Sequence, residues 1–200
     1  MLLFLARHGQ TLSEGRFYGH DDVALSPTGR AQMERLAARL RRHALDAVYA
    51  SDLQRARDGA ELVAGPRGLA VQTDPRLREM CLGCLEGLDR GAAVARHPEL
   101  AARDYASMVE FRMPGGGESF LDVWRRVAPA LQELRVRHRG RRVALVGHNS
   151  VNRLILGDAL GLPPERVFSF GQDYGCLNLI DYRGGQPVVL LLNGRIDETA

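Results

Sequence analysis

The chain of 200 residues contains no lysine at all; every one of its 27 basic side chains is arginine. Lysine chemistry, such as Schiff-base formation, is therefore excluded. The positive charge is carried by planar guanidinium forks that remain protonated and bind phosphate or carboxylate oxygens in pairs. Cysteine is scarce as well. The three residues Cys81, Cys84 and Cys176 are an odd number, which argues against a secreted disulfide framework. No apolar run approaches the ~20 residues of a membrane helix. The apolar start Met1–Ala6 is too short for a leader and passes straight into Arg7 and His8. A cytoplasmic protein is expected, with no membrane partner.

What is present suits one compact domain over residues 1–200, since a chain of this size buries roughly 70% of its unfolded surface. No linker, repeat or low-complexity tract divides it. The densest basic stretch, Arg135–Arg142, carries five arginines and His138 around Gly140. It reads as a helix C-terminus dressed with cations and ended by glycine. A nucleic-acid surface is the less favoured reading, and no nucleic-acid partner is expected. Cys81 and Cys84 have CxxC spacing, but neither a second ligand pair nor a redox-type helix start accompanies them. They are read as ordinary small apolar residues, and no metal site is expected.

Along the chain, residues 2–6 read as a buried strand. Ser26-Pro27 starts a helix, with Ser as N-cap and Pro at the first helical position, and Met33, Leu36, Ala37 and Leu40 follow at helical spacing. Strands are expected at 46–50 and, briefly, at 70–73, with a helix after Ser51-Asp52. Residues 89–112 read as helical pieces broken at Pro98, a small cap. A long helix is marked by Phe120, Trp124, Val127, Leu131 and Leu134, with a bend expected at Pro129. Residues 142–147 form the clearest strand, a helix runs from about Ser150 to Leu160, and 176–182 with 187–192 suggest a hairpin. Alternating strands and helices indicate an α/β fold: a three-layer α/β/α sandwich on a mixed, mostly parallel central sheet.

In such sheets the active site lies beyond the C-terminal strand ends. Three segments fall there: Arg7-His8-Gly9, Ser51 to Arg55, and Gly147-His148-Asn149. If the strands before His8 and His148 are neighbours, both imidazoles meet at one rim. Arg7 and Arg55 would join them there, and two arginines with two histidines form a pocket for a tetrahedral dianion. Gly9 would let the backbone approach the ligand. A neutral imidazole in that position can attack phosphorus.

These segments resemble the histidine phosphatase superfamily, also called the phosphoglycerate mutase-like family. Six motifs carry the resemblance, in order: Leu5–Thr11, Gly19–Asp22 with Leu25–Gln32, Ala50–Ala56, Leu77–Met80 with Gly83 and Glu86-Gly87, Gly116–Phe120, and Leu145–Ser150. The small phosphatase branch, similar to α-ribazole phosphatase, fits best. The resemblance implies a metal-independent phosphomonoester hydrolase without cofactor, acting on a small phosphorylated metabolite. It implies that His8 takes the phosphoryl group as a phosphohistidine, that Arg7, Arg55 and His148 hold its oxygens, and that Glu79 is the general acid and base. Gln10 and Asn149 are added as phosphate contacts, Asn149 standing where many members have glycine and being also suited to cap the helix that follows. Arg76 and Arg78 flank Glu79 and would favour its ionised form, whereas a general acid needs the proton. Glu86 is the rival acid, read more readily as a turn residue.

Gln10, Thr11 and Tyr18–His20 should border the pocket. His20, His43, His97 and His138 are expected at the surface without partners. Arg76, Arg103 and Arg112 could read an acidic group on the substrate, but each taken singly reads more readily as solvated surface. α-Ribazole phosphate, phosphoserine and sugar phosphates all suit the resemblance, and a homodimer is compatible with it. Mutase-type phosphoryl transfer is the second reading. The short chain, without a tyrosine-containing insertion after Gly87, favours hydrolysis. A catalytically silent phosphate-binding module and a thiol or zinc protein are the minor alternatives.

Overall fold

The computed structural model describes residues 1–101, 103 and 107–195. Six strands form one sheet in the order β3-β2-β4-β1-β5-β6. They are β1 (Leu2–Arg7), β2 (Ala47–Ala50), β3 (Val71–Thr73), β4 (Arg142–Gly147), β5 (Leu177–Asp181) and β6 (Val188–Gly194). The first four are mutually parallel, and β5 and β6 are added antiparallel at the β1 side. The mixed, mostly parallel sheet is as the sequence indicates.

Side chains alternate across the strands, so the sheet has two buried faces. On one face Phe4, Ala6, Val48, Ala50, Ala144 and Val146 pack against Met33, Leu36, Ala56 and Val63. Those four belong to α1 (Pro27–Leu40) and α2 (Gln54–Ala64). On the other face Leu3, Leu5, Tyr49, Val143 and Leu145 meet Val123, Val127, Val151 and Ile155. These come from α4 (Phe120–Arg137) and α5 (Asn149–Leu160), which completes three layers. The short α3 (Arg90–Arg96) and a 3₁₀ turn at Pro98–Leu100 are helical pieces broken at Pro98, in the segment read as 89–112. Its residues 102 and 104–106 lie outside the described residues.

Local signals explain most element ends. The Ser26 hydroxyl accepts from the Gly29 amide at 3.0 Å, with Pro27 at the first helical position. Ser119 and Asp122 close a reciprocal capping box at the start of α4, which continues unbroken through Pro129 to Arg137. The basic stretch behind α4 is used internally: Arg135 lies over the Tyr182 ring and Arg141 pairs with Asp46. No described helix is long and apolar enough to cross a membrane.

One expectation is corrected. Gly9 does not make room for a ligand. A Cβ there would stand 2.1 Å from the carbonyl oxygen of Gly29, and one on Gly29 would stand 1.9 Å from that of Gln10. The two glycines let the first turn of α1 press against the backbone that follows β1.

Candidate active site

The sheet register brings the two histidines together. Arg7 pairs with Gly147 at the ends of the adjacent parallel strands β1 and β4, so His8 and His148 are the next residues on each. The His8 amide donates to the Gly147 carbonyl at 3.0 Å, and the two imidazole centroids are 5.1 Å apart. Strand β2 lies on the other side of β4, which sets Ser51 beside His148.

Both imidazoles are buried, with their tautomers fixed from outside the site. Nδ1 of His8 stands 2.7 Å from the Gly9 carbonyl, which can only accept, so Nδ1 carries the proton and Nε2 keeps its lone pair. Nε2 of His148 is 2.7 Å from the Ser51 hydroxyl. That hydroxyl accepts from the Leu53 amide, and among the described residues Nε2 is the acceptor its own proton has, so it donates to Nε2. Nδ1 of His148 is then a buried donor without a partner. Burial, followed by the fields of Arg7 and Arg55, holds His8 well below the ordinary histidine range. Burial, Arg55 and His8 do the same to His148. Both rings are neutral near pH 7.

The arginines are anchored from behind. Arg55, completely buried in the first turn of α2, donates to the carbonyls of Gly19 at 2.6 Å and Asp21 at 2.8 Å. Asp22 of the same loop caps the Gln54 amide at 2.6 Å. Arg7 donates to the Gln172 carbonyl at 2.6 Å and stacks 3.9 Å over the Tyr174 ring. Nε of each arginine is buried and unpartnered. Three such buried donors, two of them on cations that both act on His8, are costly unless an anion satisfies them.

Glu79 sits where α5 begins. Its carboxylate accepts from the Ser150 amide at 3.2 Å and the Met80 amide at 2.9 Å. The flanking cations do not face it: Arg78 pairs with Asp52, and Arg76 with Asp74 and Glu133. Arg126 holds this segment from α4, donating to the carbonyls of Arg76, Arg78 and Glu79 and pairing with Glu118. Glu86 is a turn residue, as preferred from the sequence. Burial pushes its carboxyl up, but the amides of His20, Leu82 and Asp21 outweigh that and hold it below the usual range.

A cavity of about 900 Å³ opens from this rim, with Arg7, His8, Tyr18, Glu79, Asn149 and Tyr174 at its floor. His148 and Arg55 lie buried behind that floor. Asn149 does not cap α5; His148 holds the cap position, and the Asn149 amide oxygen accepts from Nε of Arg153 at 3.0 Å. Gln10 does not line the cavity, and its side chain bonds Glu14 and Ser26 instead. Of the loop expected at the border only Tyr18 lines the cavity.

Of the remaining histidines His43 is exposed, as expected, while His20, His97 and His138 are half-buried with hydrogen-bond partners the sequence did not show. His20 bonds the Glu79 carbonyl, His138 bonds the Tyr49 hydroxyl, His43 packs on Phe4, and His97 contacts Glu99 and the Cys84 thiol. Cys84 is exposed rather than an apolar filler; only Cys176 is buried, where burial pushes its thiol up to about 11. Arg112 pairs with Asp122, so of the three arginines considered for substrate only Arg103 reaches the cavity. No cluster of three or more His, Cys, Asp or Glu suited to a metal ion occurs among the described residues. Tyr174, whose hydroxyl meets that of Tyr18 at 2.7 Å, lies in a loop with no motif and could not have been found from sequence.

The chain is similar to known proteins over nearly its whole length. Residues 3–195 match the histidine phosphatase superfamily (branch 1). The chain is 30% identical over 203 residues to the adenosylcobalamin/α-ribazole phosphatase of Escherichia coli K12, covering 98% of this chain and 97% of that one. It is also 30% identical over 200 residues to a probable phosphoglycerate mutase of Yersinia enterocolitica, covering 99% and 91%. Among solved structures, Bacillus stearothermophilus YhfR superposes with a TM-score of 0.90 at 30% identity, covering 98% and 99%.

Proposed function

The chain belongs to the histidine phosphatase superfamily, and from that premise we propose that it transfers the phosphoryl group of its substrate to Nε2 of His8 and then to water. It is a phosphatase of small phosphorylated substrates. The observation that carries the mechanism is that Arg7 Nε, Arg55 Nε and His148 Nδ1 are buried and unpartnered, on residues whose neighbour is a neutral His8 lowered by both arginines.

The three donors hold the non-bridging oxygens of the phosphoryl group and neutralise its charge as the bonds change. Nε2 of His8 forms a bond to phosphorus while the ester P–O bond breaks. Glu79 gives its proton to the leaving oxygen. Water then attacks phosphorus, passes a proton to the Glu79 carboxylate, and the N–P bond breaks to release phosphate. Asn149, held by Arg153, contributes its amide N–H at the edge of the site. Gln10 has no part in this site, because its side chain is engaged elsewhere. The arginines supply the positive charge that a metal ion supplies in other phosphatases, so the reaction proceeds in chelator. The exposed Cys84 thiol and the absence of disulfides suit a reducing compartment, and we place the protein in the cytoplasm.

The test is hydrolysis of p-nitrophenyl phosphate in excess EDTA by wild type and His8→Ala. Turnover by the wild type alone is expected. Full activity in the variant would overturn the mechanism. Transfer of the phosphoryl group to phosphoglycerate in place of release as inorganic phosphate would favour the mutase reading.

A further inference from the structure

Only the floor of the cavity belongs to the phosphoryl group. A phosphoryl group displaces a few waters, each with roughly 30 Å³ of liquid volume. Most of the 900 Å³ is left for the alcohol that carries it. The wall above the floor includes Phe17, Leu82, Leu100, Met108 and Phe168, side chains that rest on the core, and Val94 beside them; all six are only partly buried. The ionisable groups of that upper wall are Arg16, Arg90 and Arg103; Glu79 at the floor is the one acid lining the cavity among the described residues. Arg16 is anchored on the Gly87 carbonyl at 2.7 Å and Arg103 stacks 3.8 Å over Phe111, so both guanidinium groups are held against the rim. Arg90 is exposed in the first turn of α3.

We infer that the substrate is a phosphomonoester whose alcohol has an extended apolar body ending in a second anionic group, the body lying against the apolar wall and the anion meeting the arginine rim. This rests on the phosphatase reading of the same site. A compact polar ester, such as a phosphorylated amino acid or triose, would leave the apolar wall uncovered and the rim cations unmatched. An apolar body removes both apolar surfaces from water, and each added methylene should tighten binding until the wall is covered.

The inference is tested by binding of non-hydrolysable phosphonates to the wild-type protein by calorimetry, with turnover of the matching primary alkyl phosphates alongside. Primary alkyl esters share one leaving-group chemistry, so chain length alone varies. Hexylphosphonate is expected to bind at least ~30-fold more tightly than ethylphosphonate, below the ~4-fold per methylene that full burial would give. 6-Phosphonohexanoate is expected to bind more tightly than hexylphosphonate, and Arg90→Gln to lower that carboxylate preference while keeping the chain-length preference. Val94→Asp should flatten the chain-length series. A phosphonate affinity independent of chain length, or a higher kcat/KM for O-phosphoserine than for hexyl phosphate, would overturn the apolar body. A carboxylate penalty in the wild type would overturn the anionic end. Because the phosphonates report binding, these outcomes are separate from failure of the phosphatase reading, which would show as absence of turnover with every ester.

Discussion

Arg126 offers the sharpest test of how the general acid is held. Its guanidinium donates to three successive-loop carbonyls, those of Arg76, Arg78 and Glu79, at 2.7–2.8 Å, and pairs with both oxygens of Glu118. The Arg126 and Glu118 side chains are only 19% and 21% exposed, so solvent screens the pair weakly. Arg126→Met keeps the stem but strands a largely buried carboxylate and three carbonyls. Breaking one partner of a buried pair costs about 3–5 kcal/mol. For a domain of this size each kcal/mol lowers the melting temperature by about 2–4 °C, so a loss of about 6–20 °C is expected. The pH dependence carries a sign. Burial pushes the Glu118 carboxyl up, but Arg126 and the Cys81 amide outweigh it and leave it below the ordinary value. Its contribution is thus present above the unfolded carboxyl's pKa and is lost as pH falls through the folded one. In the variant burial dominates, so the deficit should shrink between pH 7 and pH 4. Urea unfolding of wild type and variant at both pH values measures this. A deficit under ~1 kcal/mol at pH 7, or one that grows in acid, would refute the reasoning.

Three further outcomes are expected. Gly9→Ala would drive a methyl into the Gly29 carbonyl, 2.1 Å away, and is expected to destabilise by more than ~4 kcal/mol or to yield no folded protein; denaturant titration of soluble product decides. Ser51→Ala removes the hydroxyl that orients His148 and is expected to lower kcat roughly 10- to 100-fold with KM little changed, as read by steady-state kinetics. His8 and His148 both sit below the unfolded value of about 6.5. Their contribution is present above that value and is lost as pH falls below it, with a slope of about 1.4 kcal/mol per pH unit for each fully titrating histidine. Unfolding free energies of wild type and His8→Asn between pH 7 and pH 5 should diverge accordingly, and parallel curves would contradict the burial argument.

The parts of this protein that were legible in its sequence are those governed by local rules. Ser26-Pro27 marks a helix start because cap and first-turn chemistry are local. Arg7-His8 and Gly147-His148 mark strand ends because apolar runs stop there, and one inference about strand adjacency joined them. Parallel pairing of β1 with β4 turned that condition into a site. What escaped depends on contacts distant in sequence. Gln172 and Tyr174 reach Arg7 from a loop some 165 residues away. Arg126 reaches the Glu79 segment across 47 positions. The role of Gly9 is hidden for the same reason, since the backbone that excludes its Cβ belongs to the next helix and not to a ligand. Arg55 is legible from the strand end before it, but the complete burial of its guanidinium and its anchoring by the Gly19–Asp22 loop are not.

The central claim is that the phosphoryl group passes through Nε2 of His8. The most direct measurement mixes enzyme with a phosphorus-labelled monoester, quenches within milliseconds in alkali, and locates the label by peptide mass spectrometry. An acid-labile, alkali-stable phosphoryl group on His8 is predicted, absent in His8→Ala and formed during a burst of alcohol release in the wild type. Label on another residue, or turnover that persists without His8, would contradict the account.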